Sequence, residues 1–161
     1  MTRRPSDAGS ADDADLVPAC ALTRRRFVGA SAGVVLAGCG PKSMPTYRVP
    51  EVKSGIVEFD LGLAPELATA GGIVAVLPSG VRKPLIVMRL ESEQFRVLSS
   101  KCTHLGCIVR WDNEEQMLRC PCHGARYDDH GKPQRGPAKQ PLREYPNQLA
   151  GTTLQIAVRD E

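Results

Sequence analysis

Six potential ligand residues crowd into a short stretch of the chain: Cys102, His104, Cys107, Cys120, Cys122 and His123. Thiolates and imidazoles bind transition metals, and neighbouring cysteines can also pair as disulfides. They occur in two similar segments, Cys102-Thr103-His104-Leu105-Gly106-Cys107 and Cys120-Pro121-Cys122-His123-Gly124-Ala125. A tetrahedral zinc site of two Cys and two His is one chemistry open to this set. Zinc fingers, however, keep the two Cys in one pair and place the two His on a helix. Here each segment holds one Cys-x-His or Cys-x-x-His unit, and Pro121 and Gly124 oppose a helix. Zinc also leaves Cys107 and Cys122 without a role. The remaining histidine, His130, lies in the turn signal Asp128-Asp129-His130-Gly131 and reads as a solvated turn residue.

The elements that must position these residues read as short strands. From Gly55 onward, apolar runs alternate with turn clusters, and the runs cover residues 56–61, 73–77, 85–90, 95–98, 108–111, 117–119 and 153–158. Seven short strands at this spacing predict an all-β antiparallel sandwich or small barrel. Pro78-Ser79-Gly80 and the polar segments 91–94 and 112–116 supply turns, and residues 65–70 allow one turn of helix. A hairpin over 108–119 would join the two Cys-His segments and hold both at one end of the sheet. No internal repeat and no second hydrophobic core is evident, so one domain is expected.

Composition agrees with that reading. The chain has 161 residues, 42% hydrophobic and 24% charged, enough for one core and too ordered in composition for wholesale disorder. Only 4% are aromatic, while Gly (15) and Pro (13) are abundant, which favours strands and turns over a helix bundle. A net charge of +3 with no basic stripe gives nucleic-acid binding no support.

The N-terminal segment 1–38 has a different character. Residues 1–22 are polar and of low complexity; a positive block then leads into a small-residue apolar run from Phe27 to Gly38, the layout of an export signal. Twelve apolar residues are too few for a permanent span, which needs about 20. Residues 23–28 (Thr-Arg-Arg-Arg-Phe-Val) resemble the twin-arginine signal of bacterial proteins exported already folded. Residues 36–39 (Leu-Ala-Gly-Cys) resemble the lipobox at which lipoprotein signals are cut, which would leave Cys39 as a lipid anchor and discard Cys20. The remaining 123 residues carry 16 Lys and Arg against 14 acids, and that near-neutral balance of +2 predicts no strong steering field. Residues 39–54 are expected to form a flexible tether.

Residues 102–142 resemble the Rieske iron-sulfur family, with C-T-H-L-G-C in one loop, C-P-C-H-G in the next, then Tyr127 and a later Gly136-Pro137-Ala138. The resemblance implies a Rieske-like β-sandwich in residues 55–161, with a small cluster-binding subdomain at about 99–145 that holds one [2Fe-2S] cluster. It implies Cys102 and Cys120 on one iron and His104 and His123 on the other, an arrangement that raises the potential above that of all-Cys clusters. It further implies a disulfide between Cys107 and Cys122, as in respiratory and photosynthetic members, and a proline loop at 136–141, where Lys139 replaces a further proline. Gly106 and Gly124 would let backbone N–H groups approach the sulfurs, and Tyr127 would hydrogen-bond a ligand cysteine. Leu105 is a docking candidate. Ala125 stands where many high-potential members have a serine, and losing that hydroxyl donor predicts a lowered potential.

The function expected is one-electron transfer in an exported protein anchored to a membrane and facing the periplasm or cell exterior. It would be an electron-transfer component of quinol:cytochrome c reductase type, not catalytic alone. Its partners would be a quinol or membrane cytochrome b-type protein and, as acceptor, a c-type cytochrome. A free-standing carrier, the small Rieske subunit of a periplasmic molybdenum oxidase, and a zinc-stabilised interaction domain are the competing readings.

Overall fold

The computed structural model describes residues 44–91 and 93–158, with the side chains of Pro50 and Glu51 also left aside. The signal-like segment, the lipobox and Cys39 lie outside the described residues. The chain order is β1 (Thr46–Glu51), β2 (Ile56–Asp60), two short 3-10 turns (Leu61–Leu63 and Pro65–Ala68), β3 (Ile73–Ser79), β4 (Leu85–Arg89) and β5 (Phe95–Ser99). There follow β6 (Arg110–Asp112), β7 (Met117–Arg119), β8 (Arg126–Tyr127), β9 (Pro133–Arg135), β10 (Asn147–Ala150) and β11 (Thr153–Ala157). They form three sheets, in the orders β1-β3-β4-β5, β10-β11-β2 and β6-β7-β8-β9. Every pairing is antiparallel except β1 with β3. The all-β sandwich is therefore present, with the extra strands β8 to β10 too short or too polar to stand out in the sequence.

The first two sheets enclose one core. Alternation puts Val57 and Phe59 of β2 and Leu154 and Ile156 of β11 inward, against Val74 and Val76 of β3 and Leu85, Val87 and Val97. Strand β4 is buried at four consecutive positions, Leu85 to Met88. Such a run means that both faces of the strand are covered. Leu85 and Val87 face the sandwich, while Ile86, Met88 and Leu98 of β5 face a second core built from Val109, Leu118, Tyr127 and Leu142. The single core expected from sequence is thus two cores sharing one sheet, a division that a continuous apolar run does not announce.

Within its described residues, the expected tether 39–54 is partly a strand. Residues 46–51 form β1, which lies along β3 with Thr46 opposite Ala75 and Arg48 opposite Leu77. Val49 is buried, and Tyr47 packs at 5.9 Å from Phe59 and donates a 2.7 Å hydrogen bond to Glu66. The prolines suggested an extended tether, and extended backbone with alternating apolar residues is what an edge strand uses.

Candidate metal centre

Two loops, 102–107 and 120–125, close in the same way. In the first, Cys102 N–H bonds the Cys107 carbonyl at 2.8 Å and Gly106 N–H bonds the Cys102 carbonyl at 2.8 Å. In the second, Cys120 N–H bonds the Ala125 carbonyl at 2.8 Å and Gly124 N–H bonds the Cys120 carbonyl at 3.0 Å. Each closure needs a left-handed residue at its fifth position, and Gly106 (φ 75°) and Gly124 (φ 73°) supply it. The hairpin β6–β7 joins the loops and brings them to one end of their sheet, with Arg110 opposite Arg119.

Within this pair of clasps the side chains sort by depth. Cys102 and Cys120 are buried free thiols at the edge of the second core. His104 and His123 are exposed, their rings 4.8 Å apart and nearly perpendicular at 87°. Cys107 and Cys122 form a disulfide that ties one loop to the other. The sulfurs of Cys107, Cys120 and Cys122 lie within 4.8 Å of one another, so the free Cys120 thiol sits against this bond.

The electrostatics of the two free thiols differ. Burial pushes the Cys102 thiol up, but hydrogen bonds from the Tyr127 hydroxyl, the His104 and Leu105 backbone and the Cys120 thiol together outweigh it, leaving Cys102 below its ordinary value. Burial raises Cys120, and its Cys102 neighbour adds to the rise, opposed by the backbone of Cys122 and His123. Two buried sulfurs that collect backbone N–H bonds from the same loops that expose two imidazoles form a donor set suited to a mixed Cys and His iron-sulfur centre.

The Tyr127 hydroxyl lies 3.2 Å from Cys102 Sγ and accepts a 3.2 Å bond from Thr103 N–H. It is also 3.1 Å from Thr103 Oγ1, which donates to the Gln140 carbonyl at 2.8 Å. Burial, then the Cys102 contact, hold the Tyr127 hydroxyl above its ordinary value, so it remains a donor. Thr103 therefore fastens the 136–141 loop, whose Ala138 is buried in the second core, to the first clasp. Sequence reasoning gave Thr103 no role and missed Lys83, whose ammonium donates to the Gly106 carbonyl. Lys83 sits in the β3–β4 turn, and only its proximity in space marks it.

Ala125 is fully buried, and Leu105 is 69% exposed at the tip. His130 sits in a solvated turn, its N–H bonded to Asp128 at 2.9 Å.

The fold and these clasps define an iron-sulfur electron-transfer domain, and comparison with known proteins places the chain in the Rieske family. The profile of the Rieske [2Fe-2S] domain matches residues 67–146. The chain is 30% identical over 134 residues to the cytochrome b6-f complex iron-sulfur subunit of Chlorobaculum tepidum, covering 83% of this chain and 72% of that one. It is 31% identical over 165 residues to cytochrome b6-f complex iron-sulfur subunit 1 of a Synechocystis species, covering 93% and 88%. Its fold is similar to a chain in the complex of reduced oxygenase and oxidized ferredoxin in carbazole 1,9a-dioxygenase, with TM-score 0.50, 22% identity, and coverage of 68% and 98%. The protein is a Rieske electron-transfer protein that binds a [2Fe-2S] cluster, which sets the zinc reading aside.

Proposed function

We propose that Cys102, Cys120, His104 and His123 hold the cluster and that the protein carries electrons out of a quinol-oxidising chain while anchored at the outer face of a membrane. The adjacent exposed imidazoles above two buried thiols are the observation that supports this reading most directly. Bound there, the cluster supplies reversible one-electron storage. His104 and His123 orient a quinol hydroxyl by hydrogen bonding and take its proton as the quinol is oxidised. Cys102 and Cys120 keep their sulfurs away from water, and Leu105 offers an apolar contact to the partner surface. Similarity to cytochrome b6-f complex iron-sulfur subunits supports a cytochrome b-type partner and a c-type cytochrome acceptor.

The anchor belongs to the same proposal. Among the described residues no helix is long and apolar enough to cross a membrane, and the lipobox-like 36–39 supports lipidation of Cys39. With β1 starting at Thr46, seven residues (39–45) separate that anchor from the sheet, a reach of at most about 25 Å. The head would therefore work close to the membrane surface.

EPR of the reduced protein labelled with 15N-histidine tests the ligand set. A [2Fe-2S] signal with nitrogen hyperfine coupling, lost in His104→Ala, is expected, together with two iron atoms per chain. A cluster signal free of histidine coupling would refute the ligand assignment. Mass spectrometry of the membrane fraction should find a diacylated Cys39, and an intact Met1 would refute the anchor.

A further inference from the structure

The charges of the cluster-binding region are segregated along the chain. Segments 99–111, 117–127 and 130–143 contain eight Lys and Arg and no Asp or Glu. The acids of this region are Asp112, Glu114 and Glu115, then Asp128 and Asp129, and last Glu144, which pairs with Arg96 at 3.6 Å. The first group caps the turn at the end of the β6–β7 hairpin opposite the clasps. There the acids neutralise their own neighbours, Asp112 with Arg119 at 3.6 Å and Glu115 with Arg126 at 2.5 Å. Asp129 is similarly occupied, with Arg96 at 3.8 Å.

A different set of cations lies near the exposed end. Lys83 donates to the Gly106 carbonyl, and the Lys101 side chain passes the same glycine. Lys139 adjoins Gln140, whose carbonyl is bonded to Thr103 of the same loop. These three lysines lie beside or next in sequence to partners of the clasp that carries His104 and Leu105, 69% exposed, with Ile108, 37% exposed, just past its end. An apolar tip with cations beside it has a defined complement. The overall balance of +2 for residues 39–161 averages over this local distribution.

We infer that the tip docks an electron-transfer protein whose cofactor edge is apolar and ringed by carboxylates, with Lys83, Lys101 and Lys139 choosing it and speeding its approach. This deepens the reading in which electrons leave through the His104–His123 tip and rests on it. Charge complementarity at the rim acts mainly on the association rate and weakens with salt, because the Debye length falls from about 30 Å at 0.01 M to below 5 Å at 0.5 M.

The probes are lysine-rich cytochrome c and the same cytochrome with its lysines succinylated. Each ferric haem takes one electron from the reduced protein, leaving ferrous haem and an oxidised cluster, with no other reactant. The rates, normalised to those at 0.5 M salt, should favour the succinylated form by about tenfold at 0.01 M. Lys139→Gln should remove part of that preference, and Lys101→Gln with Lys139→Gln most of it, at unchanged cluster spectra. Equal rates, or a preference for the lysine-rich form, would overturn the inference. The 15N-histidine coupling, measured on the same samples, separates the two readings. If it is present and succinylation gives no advantage, the docking inference alone fails; if it is absent, the tip reading fails and takes this one with it.

Discussion

At the scale of single residues, the proposed ligand set makes the potential depend on a few hydrogen-bond donors. Ala125 is fully buried beside Cys120, and its carbonyl closes the second clasp. Serine is little larger and would add one hydroxyl donor toward the reduced, more negative cluster. A hydrogen bond to a charged group contributes about 1.5 kcal/mol, which for one electron is about 60 mV. Ala125→Ser should therefore raise the midpoint potential by about that much in protein-film voltammetry; an unchanged midpoint would show that the hydroxyl reaches no sulfur. Tyr127→Phe should lower it by a similar amount, since it deletes the hydroxyl at Cys102, and it should also loosen the 136–141 loop because Thr103 loses a partner. The first effect was expected from the Rieske resemblance, which gives Tyr127 and Ala125 their tuning roles. The second was not, because a threonine between two ligand-type residues looks the same whether or not its hydroxyl spans a loop gap to Gln140.

At the scale of elements, the two clasps and their hairpin act as a unit. The sequence marked Gly106 and Gly124 as places where backbone N–H groups could approach the sulfurs, but not as the left-handed residues that close each clasp. The backbone equivalence of the two loops was not readable, since it lies in hydrogen bonds shared by different sequences. Gly124→Ala should cost about 1–2 kcal/mol from its left-handed backbone alone, as no atom lies within 4 Å of the added methyl. Thermal unfolding of the holoprotein would measure it. Replacing both Cys107 and Cys122 by Ser removes a link across a sequence separation of 15, at a cost of about 3 kcal/mol. Iron release under chelator should then accelerate, and unchanged retention would show that the clasps hold without the link. The hairpin has its own acid sensitivity. The Asp112 carboxylate accepts N–H bonds from Glu115 and Glu114 and lies near Arg119, which together hold it below the usual carboxylate range. A depressed folded value means the contribution is present above the unfolded value near 3.9 and is lost as pH falls through the lower folded one. Protection of the Glu114 and Glu115 amides, relative to their intrinsic exchange at each pH, should therefore fall once the pH drops below the usual carboxylate range in the wild type, and be low throughout in Asp112→Ala.

At the scale of the whole molecule, one sheet serves two cores. The sandwich core and the cluster-side core meet at β4, where Val87 and Ile86 point to opposite faces. Ile86→Ala should cost about 2–5 kcal/mol and shorten the lifetime of the bound cluster. Val87→Ala, a smaller deletion on the other face, should lower the unfolding midpoint while leaving the EPR spectrum unchanged. If both variants lose iron equally, the cores do not act separately. The fold class was readable from the strand spacing. The two-core division was hidden because an uninterrupted apolar strand reads alike whether its second face meets a neighbour in the same core or in another. The parallel edge strand β1 was hidden because its partner β3 follows more than twenty residues later.

The two-sided burial of β4 also changes how its register is specified. In a half-exposed strand, a slip of one residue throws apolar side chains into water, so polarity itself detects the error. Leu-Ile-Val-Met carries no such check, since either parity presents hydrocarbon to both sides. The discriminating information must come from the neighbours, from Arg89 at its end and from Arg96 of β5, paired opposite Met88. The strand that unites the two halves of the molecule thus contributes least to its own alignment, and the charged residues beside it serve as its punctuation.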